Sequence, residues 1–132
     1  HINPGLYSIV AKVKGDKMVL ITDCTRAGGM PDGEYDLGGQ PIFLKGIECR
    51  LADGTIAGSV LKLNHAVRNV LANTNLPVNE VFKMASLNPA TSIHVADRIG
   101  SLEAGKDADI IIADNDINIV RTIKKGRTIY EA

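Results

Sequence analysis

The stretch that most constrains this chain is Lys17–Gly29, KMVLITDCTRAGG. Met18, Val19, Leu20 and Ile21 form an apolar run of strand length, too short for a helix of its own. A strand with both faces apolar reads as a member of a parallel sheet covered on both sides. The run ends on Thr22-Asp23 and passes into a loop of small residues, Ala27-Gly28-Gly29. A carboxylate where such a strand meets its loop stands at the carboxyl end of the sheet, where α/β folds place ligands and chemistry. Asp23 is therefore the first candidate for a catalytic role. Aspartate is equally a turn residue, and spacing alone does not separate the two readings.

The rest of the chain supplies context for that strand. Asn3-Pro4 has the form of a helix start, cap followed by proline. Leu6, Ile9, Val10 and Val13 then recur at the spacing of one buried helix face, and Gly15 closes it. Residues 4–22 thus read as the helix and following strand of a β/α repeat. If a strand precedes them, His1 lies just past its carboxyl end and shares a rim with Asp23; the alternative for His1 is an accidental terminus. The chain begins without Met, which predicts a processed protein or a fragment.

Residues 32–58 change character. Turn signals at Gly38-Gly39, Lys45-Gly46 and Asp53-Gly54 separate the short runs Ile42-Phe43-Leu44 and Glu48-Cys49-Arg50-Leu51, the pattern of a β meander. In Thr55-Ile56-Ala57-Gly58-Ser59 the lack of bulk lets backbone amides come close to a ligand, or lets the chain pack tightly. A helix is expected from Val60 to about Ala72, capped by Ser59, with Val60, Leu63, Val67, Val70 and Leu71 on one face. Pro77 opens a second helix with Val78, Val81, Phe82 and Ala85 inward. Asn88-Pro89 opens a third, to about Val95. His65 and His94 fall on these helices without partners at metal-ligand spacing and read as structural. From Ile99 the pattern is β, through Asp109–Ala113, the alternation of Ile117, Ile119, Arg121 and Ile123, and Thr128–Tyr130. Three short strands need something to pack on.

Composition excludes several classes. The 15 basic and 15 acidic residues of the 132 cancel, so there is no electrostatic case for nucleic acid or an anionic membrane. No apolar run reaches the length of a membrane span, and no signal peptide is visible. Cys24 and Cys49 do not make a disulfide framework, which suits a reducing, cytoplasmic setting.

The segments ITDCTRAGG, DGEYDLGGQ, CRLADGTIAGS, AVRNV, MASLNPA and GSLEAGKDADIII come in this order. Together they resemble the carboxyl-terminal part of the N-acetylglucosamine-6-phosphate deacetylase family, of the amidohydrolase superfamily. The last segment recurs across many amidohydrolases; LADGTIAGS, NPA and the strand-borne aspartate narrow the match. The resemblance implies an α/β fold: the carboxyl-terminal part of a (β/α)8 TIM-like barrel plus part of a small β-sandwich. Residues 1–98 would be the last part of the barrel, with Met18–Asp23 its eighth strand and a β meander inserted at 32–58. Residues 99–132 would be the carboxyl-terminal sandwich strands.

The implied reaction is metal-dependent hydrolysis of the N-acetyl amide, giving glucosamine 6-phosphate and acetate. Asp23 falls on the family's catalytic aspartate. His1 falls on a substrate-contacting histidine, and Ile56, Ala57 and Gly58 on a loop that contacts the sugar phosphate. Cys24 stands where alanine is more usual. The divalent metal, zinc by resemblance, would have its ligands upstream of His1, so no residue here is expected to bind it. The implied partners are an amino-sugar phosphate, the missing amino-terminal part of the chain and a second copy in a homodimer. The 132 residues alone are expected to be inactive. The alternatives are another amidohydrolase, or a truncated, non-catalytic domain that binds sugar phosphate or a partner chain.

Overall fold

The computed structural model describes residues 2–132, in two compact units. His1 lies outside the described residues. Strands are numbered β1 to β7 in chain order.

The first unit comprises residues up to Leu20 together with Val67–Ala132. Asn3 acts as the sequence suggests: its side chain accepts a hydrogen bond from Gly5 N at 2.9 Å, at the head of a 3-10 turn over Pro4–Leu6. The α-helix α1 (Tyr7–Lys14) comes next and stops at Gly15, whose φ of 52° lies in the left-handed region. The buried face is not the expected one. Leu6, Ile9, Val10 and Val13 are exposed, and Ala11 with Tyr7 faces the core. Periodicity marks an apolar stripe; it does not say what covers it.

The expected strand at Met18–Ile21 is a second correction. These residues have no strand pairing among the described residues. A strand exists by virtue of its neighbours' hydrogen bonds, and neither sheet among the described residues includes this stretch. Its backbone is held by helices instead. Leu20 N donates to Met84 O at 2.8 Å, and Met18 O accepts from Asn88 Nδ2 at 2.8 Å. Met18 is buried in a core with Ala11, Val67, Val70, Val81, Met84 and Ile117.

Three helices line that core or lead into it. Helix α2 (Leu63–Asn73) starts three residues later than expected and spans the division between the units. Ser59 caps no helix: its hydroxyl takes the Leu61 amide at 3.0 Å. Helix α3 (Val78–Ala85) has Pro77 at its cap position and buries Val81 and Met84, while Val78 and Phe82 stay exposed. Helix α4 (Leu87–Ser92) is shorter than its pattern predicts. Asn88 is not its cap; it lies inside the helix, buried, and its side chain reaches the Met18 carbonyl. His94 falls past the helix end, exposed, with φ of 59°.

The unit ends in a three-stranded antiparallel sheet: β5 (Ile110–Ala113), β6 (Ile119–Lys124) and β7 (Arg127–Glu131). Lys106 ties the approach to β5. Its ammonium donates to Ala96 O at 2.7 Å, Ser101 Oγ at 2.5 Å and Glu103 Oε1 at 3.1 Å. Ile111, Ile112, Val120, Ile129 and Tyr130 leave apolar surface exposed on the sheet.

The second unit, Ile21–Ala66, is built on an antiparallel meander. Its strands are β1 (Gly33–Leu37), β2 (Gln40–Lys45), β3 (Glu48–Arg50) and β4 (Ile56–Gly58), in that spatial order. The β1–β2 and β2–β3 connections fall on Gly38-Gly39 and Lys45-Gly46. Alternation along β2 buries Ile42 and Leu44, which join Cys49, Ala57 and Ala27 in the core. Val60, expected on a helix, packs against this cluster instead.

Candidate functional site

The candidate site lies in the second unit, where the loop carrying Asp23 meets β4. Asp23 is exposed and adopts φ of 48°. Few residue types take the left-handed region readily, and aspartate is one of them. The next two residues hold the conformation. Cys24 forms a parallel bridge with Ser59, and Thr25 N donates to Ser59 O at 2.8 Å. Ser59 follows directly on the last residue of β4. In a parallel bridge both chains run the same way, so Asp23 and Gly58 precede the bridged pair on the same side. The bridged pair thus stands one residue beyond Asp23 on one chain and one residue beyond the Ile56–Gly58 segment on the other.

The loop then closes on itself. Gly28 N donates to Thr25 O at 3.0 Å, and Met30 N to Ala27 O at 3.1 Å. Ala27 is fully buried in the meander core and anchors the turn. Gly28 sits against the Cys24 side chain: a Cβ there would come within 1.9 Å of Cys24 Sγ. Arg26 extends outward, its guanidinium 4.0 Å from the Asp36 carboxylate in an exposed pair.

The three β4 residues differ from one another. Ile56 is 53% exposed, Ala57 is buried, and Gly58 has φ of 126° with Thr25 Cγ2 only 2.6 Å from where a Cβ would be. Both reasons for small residues at this place, ligand approach and tight packing, were open from sequence. At Gly58 the packing reason is visible directly. Sequence reasoning passed over Thr25 and Ser59 as partners of the loop. The only trace they leave is the small-residue run Ala57-Gly58-Ser59, which marks a close approach without saying of what.

Among the described residues, no group of three or more His, Cys, Asp or Glu side chains is arranged to hold a metal ion. Likewise, no helix is long and apolar enough to cross a membrane among the described residues.

Residues 7–129 match the amidohydrolase family, whose members generally use a divalent metal. The chain is 41% identical over 128 residues to the N-acetylglucosamine-6-phosphate deacetylase of Lysinibacillus sphaericus, covering 96% of this chain and 33% of that protein. It is 38% identical over 127 residues to the N-acetylgalactosamine-6-phosphate deacetylase of Escherichia coli O157:H7, covering 96% of this chain and 34% of the relative. The crystal structure of the Thermotoga maritima N-acetylglucosamine-6-phosphate deacetylase superposes with a TM-score of 0.89 at 34% identity, covering 100% of this chain and 36% of that one. The chain thus spans about a third of the length of most of the curated relatives it matches. With a family match over nearly its whole length, and the family's resemblance segments in order, the chain belongs to the amidohydrolase family.

Proposed function

We propose that the complete protein carrying this chain is an amide hydrolase that deacetylates an N-acetylhexosamine 6-phosphate, with N-acetylglucosamine 6-phosphate as the preferred substrate. The observation that carries the reading is the exposed, left-handed Asp23, next to Cys24, whose bridge to Ser59 ties the loop to the end of β4. A carboxylate fixed in this way can move one proton twice. Water attacks the acetyl carbonyl and gives its proton to Asp23 as the new C–O bond forms. The tetrahedral intermediate then collapses, the C–N bond breaks, and Asp23 passes the proton to the departing amine. The products are hexosamine 6-phosphate and acetate. The reading includes Ile56–Gly58 and His1 as substrate contacts.

The exposed apolar stripe of α1 and the exposed apolar residues of β5–β7 support a larger assembly. In this reading they are covered by the rest of a (β/α)8 barrel and of a β-sandwich, which also supply the ligands for zinc. A homodimer in the cytoplasm completes the proposal.

The test is to incubate the complete protein with N-acetylglucosamine 6-phosphate and, separately, N-acetylgalactosamine 6-phosphate, and to measure acetate and primary amine. The expected result is one amine for each acetate, with faster release from the gluco substrate. Binding of sugar phosphate without acetate would instead favour a non-catalytic module. Faster release from the galacto substrate would reverse the preference.

A further inference from the structure

The bonds around Asp23 converge on the residue two places further on. Thr25 uses its amide to hold Ser59 and its carbonyl to close the turn through Gly28. Its methyl fills the room beside Gly58 that any other residue would need for a Cβ, at 2.6 Å. Its hydroxyl is buried and has no hydrogen-bond partner among the described residues. Buried hydroxyls are ordinarily satisfied, so the hydroxyl gives the position no structural reason to be threonine. The methyl does. A β-branched side chain has few rotamers, which makes its methyl a stiff spacer between the loop and β4.

We propose that Thr25 is a positioning residue: its methyl, seated on Gly58, sets the spacing between the turn that carries Asp23 and the strand Ile56–Gly58. This rests on the deacetylase reading and adds a residue to it. Thr25 touches neither the proposed substrate nor the moving proton. It acts through Gly58 on one side and the Asp23 turn on the other. Losing the spacer leaves both parts present but lets their separation drift, and misplacement of about 1 Å costs on the order of 10²-fold in rate.

The experiment is steady-state acetate release by the complete protein and four variants, well below the melting temperature of each. Thr25→Ser removes the methyl and keeps the hydroxyl; it should lower kcat by about 10-fold or more while leaving KM within about twofold. Thr25→Val keeps the methyl and removes the hydroxyl; as the conservative variant it should restore most of that loss. Gly58→Ala should be the poorest, because its Cβ meets the methyl and its φ disfavours a side chain. In Thr25→Ser/Gly58→Ala the methyl is gone, so kcat should exceed that of Gly58→Ala alone.

Thr25→Val as impaired as Thr25→Ser would overturn the proposal and assign the role to the hydroxyl. So would a double variant no better than Gly58→Ala, since the two sites would then not be in steric register. An unmodified protein that releases no acetate removes the deacetylase reading and this inference with it. Normal release with no coupling removes the inference alone.

Discussion

Replacing Asn88 by alanine should loosen the segment Met18–Leu20 by about 2 kcal/mol. The residue is 9% exposed and its side-chain Nδ2 donates to the Met18 carbonyl at 2.8 Å, across 70 residues of sequence. Met18 is itself buried, so no water replaces the lost donor easily. Leaving a buried acceptor unpaired costs about 1–3 kcal/mol, and the middle of that range is the expected loss. The best readout is local. The Leu20 amide donates to Met84 O, so its hydrogen exchange reports opening of this stretch. A loss of ~2 kcal/mol corresponds to exchange about 30-fold faster, at tenfold per ~1.4 kcal/mol. Asn79→Ala, at an exposed position of α3 with its side chain bonded to the neighbouring Glu80, is the control and should stay within ~0.5 kcal/mol. Asn88→Asp adds a sign. At neutral pH it presents a carboxylate to a carbonyl, and burial raises its folded pKa above the unfolded value. The protonated form can donate, so stability is present at low pH and is lost as pH rises through the raised pKa. Unchanged Leu20 exchange in Asn88→Ala would refute the reasoning, and would mean that the helices hold Met18–Leu20 without this bond.

Three other perturbations probe the rest of the molecule. Lys106→Met removes three hydrogen bonds that tie Ala96, Ser101 and Glu103 together; a urea melt should show a loss of about 1–3 kcal/mol. Acid should weaken the β5–β7 region. Asp109 is held below its ordinary range by the Lys124 ammonium and the Lys125 amide, and Asp114 by the Asn118 side chain and amide. Their folded pKa values are depressed, so the stabilisation is present above about pH 4 and is lost as pH falls through the lowered values. Asp114→Asn should flatten the acid limb of a stability–pH curve. Gly28→Ala should destabilise the second unit, because its Cβ meets Cys24 Sγ at 1.9 Å; Gly28→Ala/Cys24→Ala should recover part of that loss in thermal melts.

Local chemistry was readable in the sequence, and long-range partners were not. Asn3-Pro4 starts the first helical segment and Gly15 ends α1, because caps and glycine act within a few residues. The runs around Ile42 and Cys49 are strands β2 and β3, because β2–β3 pairing and alternation are set by a short turn. Met18–Ile21 has the composition of a strand, but a ladder requires a neighbour, and composition does not supply one. Asn88 has the form of a cap, yet its partner is Met18, far away in sequence. Ile117 joins the expected alternation but sits before β6 with φ of 59° and is buried in the core. At the candidate site, Asp23 and Ile56–Gly58 are expected from pattern and from resemblance. Thr25, which lies between them, has no motif of its own and emerges only from its contact with Gly58.

The most direct test of the account is the turnover of Asp23→Asn in the complete protein. Asparagine keeps the shape and suits the left-handed backbone at this position, so the variant should fold and bind N-acetylglucosamine 6-phosphate with KM little changed. It cannot accept the proton of the attacking water. Acetate release should therefore fall by about 10²–10⁴-fold in kcat, with an unaltered circular dichroism spectrum. Turnover close to that of the unmodified protein would contradict the account and remove Asp23 from the proton transfer.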